Sequence, residues 1–89
     1  MKAVISVVGK DAVGIIAKVS NVCADYGINI VDISQTVLQD YFSMIMLVEI
    51  DKINIPFREF VDKMNFLGQE NRLEIHAMHE DIFNAMHHI

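Results

Sequence analysis

Few residues of this 89-residue chain are spaced for chemistry, and those that are point to binding rather than bond-making. The run Gly9-Lys10-Asp11-Ala12-Val13-Gly14-Ile15 follows a short apolar stretch and opens a helix-like pattern. A glycine-bracketed loop at a helix N-terminus presents backbone N–H groups that suit a small anionic group. The loop holds no nucleophile, general base or cluster of catalytic groups. Four histidines invite a metal reading. His76 and His79 are three apart, and such positions on a strand face opposite ways, so the two do not chelate together. His79 could meet His87 or Glu80 only if the tail folded back, and zinc sites rarely rest on so loose a pattern. Solvated or interface histidines are therefore expected, with no metal and no cofactor. Cys23 stands alone, which excludes an intrachain disulfide and a C-x-x-C motif. It is expected on the buried face of a helix as a small hydrophobe.

Catalysis needs an identifiable nucleophile and base, and no Ser/His/Asp arrangement is evident. The first loop lacks the Gly-Lys-Ser/Thr of a nucleotide-binding loop, and Lys10 is its only cation. The formal net charge is −5, with acids outnumbering bases in both halves. No basic stripe exists to hold a phosphate backbone, so no direct nucleic-acid partner is expected. The apolar run Ala3–Val8 is too short for a signal h-region with a cleavage site, and that around Met44–Val48 cannot span a bilayer. The expected location is the cytoplasm, with no membrane partner.

The elements that must position the loop can be read from spacing. Lys2–Val8 is rich in Val and Ile and reads as a strand. From about Gly14, apolar residues at Ile15, Ile16, Val19, Val22, Cys23 and Tyr26 fall at helical spacing, and Gly27 suits a left-handed cap. Asn29–Leu38 and Tyr41–Ile50 read as strands joined at Gln39-Asp40. Asn54 and Pro56 are start signals for a second helix with an apolar face of Phe57, Phe60, Val61, Met64 and Leu67. Gly68 is expected to close that helix as Gly27 closes the first. Arg72–His79 forms a fourth strand. Glu80 and Asp81 suit the first turn of a terminal helix with Ile82, Phe83, Met86 and Ile89 as its apolar stripe.

The order β-α-β-β-α-β predicts an α+β ferredoxin-like sandwich, a four-stranded antiparallel sheet with two helices on one face, plus a short C-terminal helix. The domain is expected over residues 1–79 and the helical tail over 80–89. The third strand is apolar on both faces, with Phe42, Met44, Met46, Val48 and Ile50 on one side and Ile45 and Leu47 on the other. Two helices cover only one face, so a large apolar patch is expected on the other; Met44 and Met46 are either candidates to line it or, as the more common case, gap-filling core. The C-terminal helix, a second subunit, or both should cover it.

Gly9-Lys10-Asp11 with Gly14-Ile15-Ile16-Ala17, then Tyr26-Gly27-Ile28-Asn29-Ile30, then the paired strands, resemble an ACT domain, a small ligand-binding regulatory module of amino-acid metabolism. The resemblance covers residues 2 to about 79 and is nearest to free-standing bacterial ACT proteins, especially over Asn29–Gln35. The N-terminal half also looks like the ACT domains of the glycine-cleavage repressor and of formyltetrahydrofolate deformylase. The resemblance implies a site between the first loop and the start of the second strand, usually at a subunit interface. Asp11 matches a position that touches the ligand's amino group, Gly14 one where backbone nears the ligand, and Asn29 the polar residue that opens the second strand, followed by Ile30, which can offer backbone groups. Many members carry Pro where this chain has Val13, so its loop is less rigid.

A zwitterionic amino acid needs donors for its carboxylate and an acceptor for its ammonium. Loop N–H groups from about Val13 to Ile15 can donate and Asp11 can accept, so the candidate ligand-binding residues are Asp11, Ala12, Val13, Gly14, Ile15, Asn29 and Ile30. The same residues have structural readings: Asp11 as a helix cap, Gly14 as a steric necessity, and Asn29 as a partner for backbone at the strand start. The expected function is a non-catalytic regulatory domain binding an amino acid or similar metabolite at the interface of a homodimer or higher homo-oligomer. The alternative is a protein–protein docking module with no small-molecule ligand.

Overall fold

The computed structural model describes residues 1–10 and 13–86. Strand β1 (Lys2–Gly9) is followed by α1 (Ile15–Asp25), β2 (Asn29–Leu38), β3 (Tyr41–Glu49), α2 (Phe57–Asn71), β4 (Glu74–His79) and α3 (Glu80–Met86). The strands form one antiparallel sheet in the order β2-β3-β1-β4. This is the expected ferredoxin-like sandwich with a short added helix.

Alternation along the strands decides which face the helices cover. Ala3, Ile5 and Val7 of β1, Met44, Met46 and Val48 of β3, and Ile75 and Ala77 of β4 form one core with Ile15, Val19 and Cys23 of α1 and Phe60 and Met64 of α2. Each large member contributes about 1.5–3 kcal/mol by leaving water. In β2, Val31 is an extra residue between the Ile30–Val48 and Asp32–Leu47 pairs. This bulge lets Ile30 and Ile33 both turn toward the core, although they are an odd number of residues apart.

Met44 and Met46 do not line the open face. Both are fully buried among the helix-side core, because they pair with Val7 and Ile5, which face the same way. The opposite face of β3 carries Ser43, Ile45, Leu47 and Glu49, beside Asp32, Ser34 and Thr36 of β2. The large apolar patch expected there is therefore reduced to a band around Val4, Val8, Ile45 and Leu47. Helix α3 packs against β1 and β4, and Val4 is buried although it lies outside the helix-side core. Ile82 and Met86 remain exposed, and Ile89 lies outside the described residues.

The two long helices end in the same hydrogen-bonded turn. After α1, the Ile28 N–H donates to the Cys23 carbonyl at 2.8 Å and the Gly27 N–H to Ala24 at 3.3 Å. After α2, the Leu73 N–H donates to the Gly68 carbonyl at 2.9 Å and the Arg72 N–H to Gln69 at 3.4 Å. Both are Schellman motifs, which need a left-handed residue just past the helix. Gly27 supplies it at φ 73°, as expected; in α2 it is Arg72, at φ 57°. Gly68 thus does not end α2. It lies within the helix, where an added Cβ would stand 2.6 Å from the Leu73 carbonyl oxygen. Its lack of a side chain lets the chain turn back tightly into β4.

Asn54 has a different role from the expected helix start. Its Nδ2 donates to the Asp25 carbonyl at 3.0 Å and its backbone N–H to the Tyr26 carbonyl at 3.0 Å, fastening the loop before α2 to the end of α1. Pro56 alone marks the entry to α2. The β2–β3 hairpin closes through Gln39 and Asp40, with positive φ only at Gln39 (55°).

Candidate functional site

The first loop leads into a helix that begins behind a left-handed glycine. Gly14 occupies the N-cap of α1 at φ 74°; among the described residues no side chain caps the helix, and its first turn contains no acid. The Gly14 carbonyl accepts the first helical bond, from the Lys18 N–H at 3.1 Å. An added Cβ at Gly14 would meet none of the described residues within 4 Å, and its left-handed backbone favours glycine there. Val13 projects outward, 91% exposed, while Ile15 is buried and anchors the helix start. Asp11 and Ala12 lie outside the described residues.

Asn29 and Ile30 are not brought beside that loop within one chain. Asn29 pairs with Glu49 at one end of β3, whereas Gly9, from which the loop departs, pairs with Phe42 near the other end. Glu49 and Phe42 are seven strand positions apart, about 23 Å at 3.3 Å per residue. Asn29 is exposed and Ile30 half-buried. The free edge of β2, the long side of the sheet, connects the two ends.

Other residues are drawn to the loop instead. A cleft of about 620 Å³ separates Lys10 and Val13 from Val37, Gln39, Asp40 and Tyr41 at the hairpin. On the other side of Lys10, a cleft of about 790 Å³ runs toward Gln69, Arg72 and Leu73. The Lys10 ammonium lies 5.5 Å from the centre of the Tyr41 ring. Tyr41 and Arg72 escape sequence reading because nothing in their spacing connects them to residue 10; strand register and the turn after α2 do so.

Among the described residues, Cys23, His76 and His79 each have a structural setting. Cys23 is fully buried, and burial pushes its thiol up from the ordinary 9.0 to about 11, so it is protonated at neutral pH. His76 Nε2 lies 3.1 Å from Glu74 Oε2, while the His79 ring lies 4.3 Å from that of Phe57 on the helix side. The two histidines thus face opposite ways. Among the described residues, no three His, Cys, Asp or Glu side chains are grouped to hold a metal ion; His87 and His88 lie outside them. No described helix is long and apolar enough to cross a membrane.

The family model of the ACT domain matches residues 2–78. The chain belongs to the ACT domain family. It is 48% identical over 87 residues to a UPF0237 protein of Listeria innocua, covering 98% of each chain. Among solved structures it is similar to an ACT domain protein from Streptococcus pneumoniae, with a TM-score of 0.80, 43% identity and 93% of each chain covered. A formyltetrahydrofolate deformylase from Pseudomonas syringae shares the fold alone, at 22% identity and a TM-score of 0.76, with 88% of this chain and 27% of that one covered. ACT domains are a non-catalytic, regulatory, ligand-sensing fold, and the glycine-led entrance of α1 is consistent with that role.

Proposed function

We propose that this ACT domain senses an amino acid or similar small metabolite at the interface of a homodimer. Asp11, Ala12, Val13, Gly14 and Ile15 of one protomer form half the site, and Asn29 and Ile30 of the other form the rest. The observation that carries this reading is the separation of the two halves, which one chain cannot bridge. Antiparallel twofold pairing of the free β2 edges removes the separation. Centred between Ile33 and Ser34, such pairing sets residue 29 of each protomer opposite residue 38 of its partner. Residue 38 ends β2 beside Val37, which shares a cleft with Lys10 and Val13.

Each site then has two kinds of polar group. The entrance of α1 supplies N–H donors to a carboxylate, Asp11 accepts from the ammonium, and the Asn29 amide adds a hydrogen bond. A ligand held between subunits favours the assembled state by its differential affinity, which makes association the readout of binding. No bond is made or broken.

The test is complementation. Amino acids are screened by thermal shift, with oligomeric state followed by light scattering; binding raises the melting temperature with ligand concentration. Asp11→Ala and Asn29→Ala each abolish the shift. Mixing the two variants restores part of it, because a mixed dimer carries one intact site. A monomeric wild-type protein, or a mixture as inert as either variant, overturns the shared site. The docking alternative draws on Ile82 and Met86, which α3 leaves exposed; a stable dimer that no amino acid stabilises favours it.

A further inference from the structure

The geometry points to a second binding site, for a small polyanion, in the cleft between the end of β1 and the turn from α2 to β4. The cleft is about 790 Å³, within the range of small-molecule sites, and has an apolar base at Val8 and Leu73. Lys10 and Arg72 line it from opposite sides, with Tyr41 beneath the Lys10 ammonium. Lys18 is drawn to its margin: its Nζ donates to Asn71 Oδ1 at 2.7 Å, and the Asn71 amide is held by donating to the Leu67 carbonyl at 2.8 Å. Two of the seven Lys and Arg residues of an acidic chain thus line one cleft, and a third is bonded to Asn71 in its wall. Among the described residues, neither Lys10 nor Arg72 is in an ion pair. Glu74, the acid at the cleft, is bonded to His76.

Arg72 adds an independent argument. It occupies a left-handed position where the matching turn after α1 uses glycine. A side chain held in such a conformation is a reason to look for a use of that side chain. One use is local, to neutralise the negative end of α2. That use alone predicts no anion binding, so the two can be separated. The cleft draws on β1, β3, α2 and β4 and takes no residue from β2, so pairing through β2 leaves it open. It therefore stands or falls apart from the amino-acid site.

Inorganic phosphate and citrate are the probes, titrated at low ionic strength into the full chain and followed by amide proton–nitrogen spectra. Saturable shifts are expected at Gly9, Lys10, Gln69, Arg72 and Leu73, with a millimolar or tighter Kd. Arg72→Gly keeps a residue suited to the turn and removes the charge; it and Lys10→Gln each weaken binding about tenfold, as added salt does. Arg72→Lys retains most of the affinity. Saturation by phosphate alone assigns a phosphorylated metabolite, and by citrate alone a polycarboxylate; either supports the site. No saturable shift by about 10 mM, or wild-type affinity in Arg72→Gly, overturns it. Amino-acid binding is read separately, from the amides of Gly14 and Asn29.

Discussion

Replacing Arg72 by glycine should make the protein more stable, although it removes a side chain and a charge. Arg72 sits at φ 57°, in the left-handed position of the turn that ends α2. An L-residue there costs roughly 1–2 kcal/mol relative to the right-handed region. Glycine relieves that cost and returns about 0.5–1 kcal/mol through its freer unfolded chain. The exposed guanidinium contributes a few tenths of a kcal/mol, about 0.3, at the end of the helix. The expected net gain is about 0.5 kcal/mol, which for a domain of this size raises Tm by roughly 2–4 °C. Urea unfolding should show a higher midpoint with an unchanged slope. Arg72→Ala, which keeps the strained backbone, should show no gain. The same turn after α1 supplies the contrast. An added Cβ at Gly27 would lie 2.5 Å from the Lys52 carbonyl oxygen, so Gly27→Ala combines strain with a backbone clash and should cost about 2 kcal/mol or more. If Arg72→Gly loses stability, or Gly27→Ala is tolerated, the equivalence of the two turns is wrong.

Gly68→Ala should destabilise by about 1–3 kcal/mol, since its Cβ would press on the Leu73 carbonyl and the Ile75 backbone; chemical denaturation measures it. Asn54→Ala removes the bond from the Asn54 amide to the Asp25 carbonyl and should cost about 1 kcal/mol, seen as faster amide exchange at the end of α1. Cys23 should resist thiol reagents at neutral pH unless the protein unfolds. Because its folded pKa is raised, its contribution is complete below pH 9 and is lost as the pH climbs from 9.0 toward 11, while only the unfolded thiol ionises. The loss amounts to at most about 2–3 kcal/mol, and Cys23→Ala should flatten that part of a stability-versus-pH curve.

Periodicity made the elements legible: Ile15, Val19 and Cys23 are buried on one stripe of α1, and Phe60 and Met64 on one stripe of α2. Gly27 was also legible, because a glycine after a helical stripe signals a left-handed cap. The same signal misled at Gly68, where glycine serves a close approach and Arg72 takes the left-handed position. Met44 and Met46 were ambiguous because β3 is apolar on both faces; only pairing with Ile5 and Val7 decides their side. Asn54 reads as a helix start by type, yet its partners lie at the end of another helix. For the site, the loop was visible as a glycine-bracketed helix entrance. Its distance from Asn29 was not, since nothing local reveals that the loop leaves one end of the sheet and β2 begins at the other. The gathering of Lys10, Tyr41 and Arg72 is a property of register alone.

The sheet has two free borders of unequal character. Strand β2 offers ten residues, while β4 offers six and passes directly into α3 without an intervening loop. Joining unlike borders, β2 of one copy to β4 of the next, would repeat without end and build a fibre. The abrupt turn into a helix leaves the β4 border too short to accept the whole of β2. Like can still join like along the longer border, and a twofold contact of that kind uses up both copies of it. For the proposed β2-paired dimer, the unequal lengths of the outer strands would favour a closed pair over a polymer.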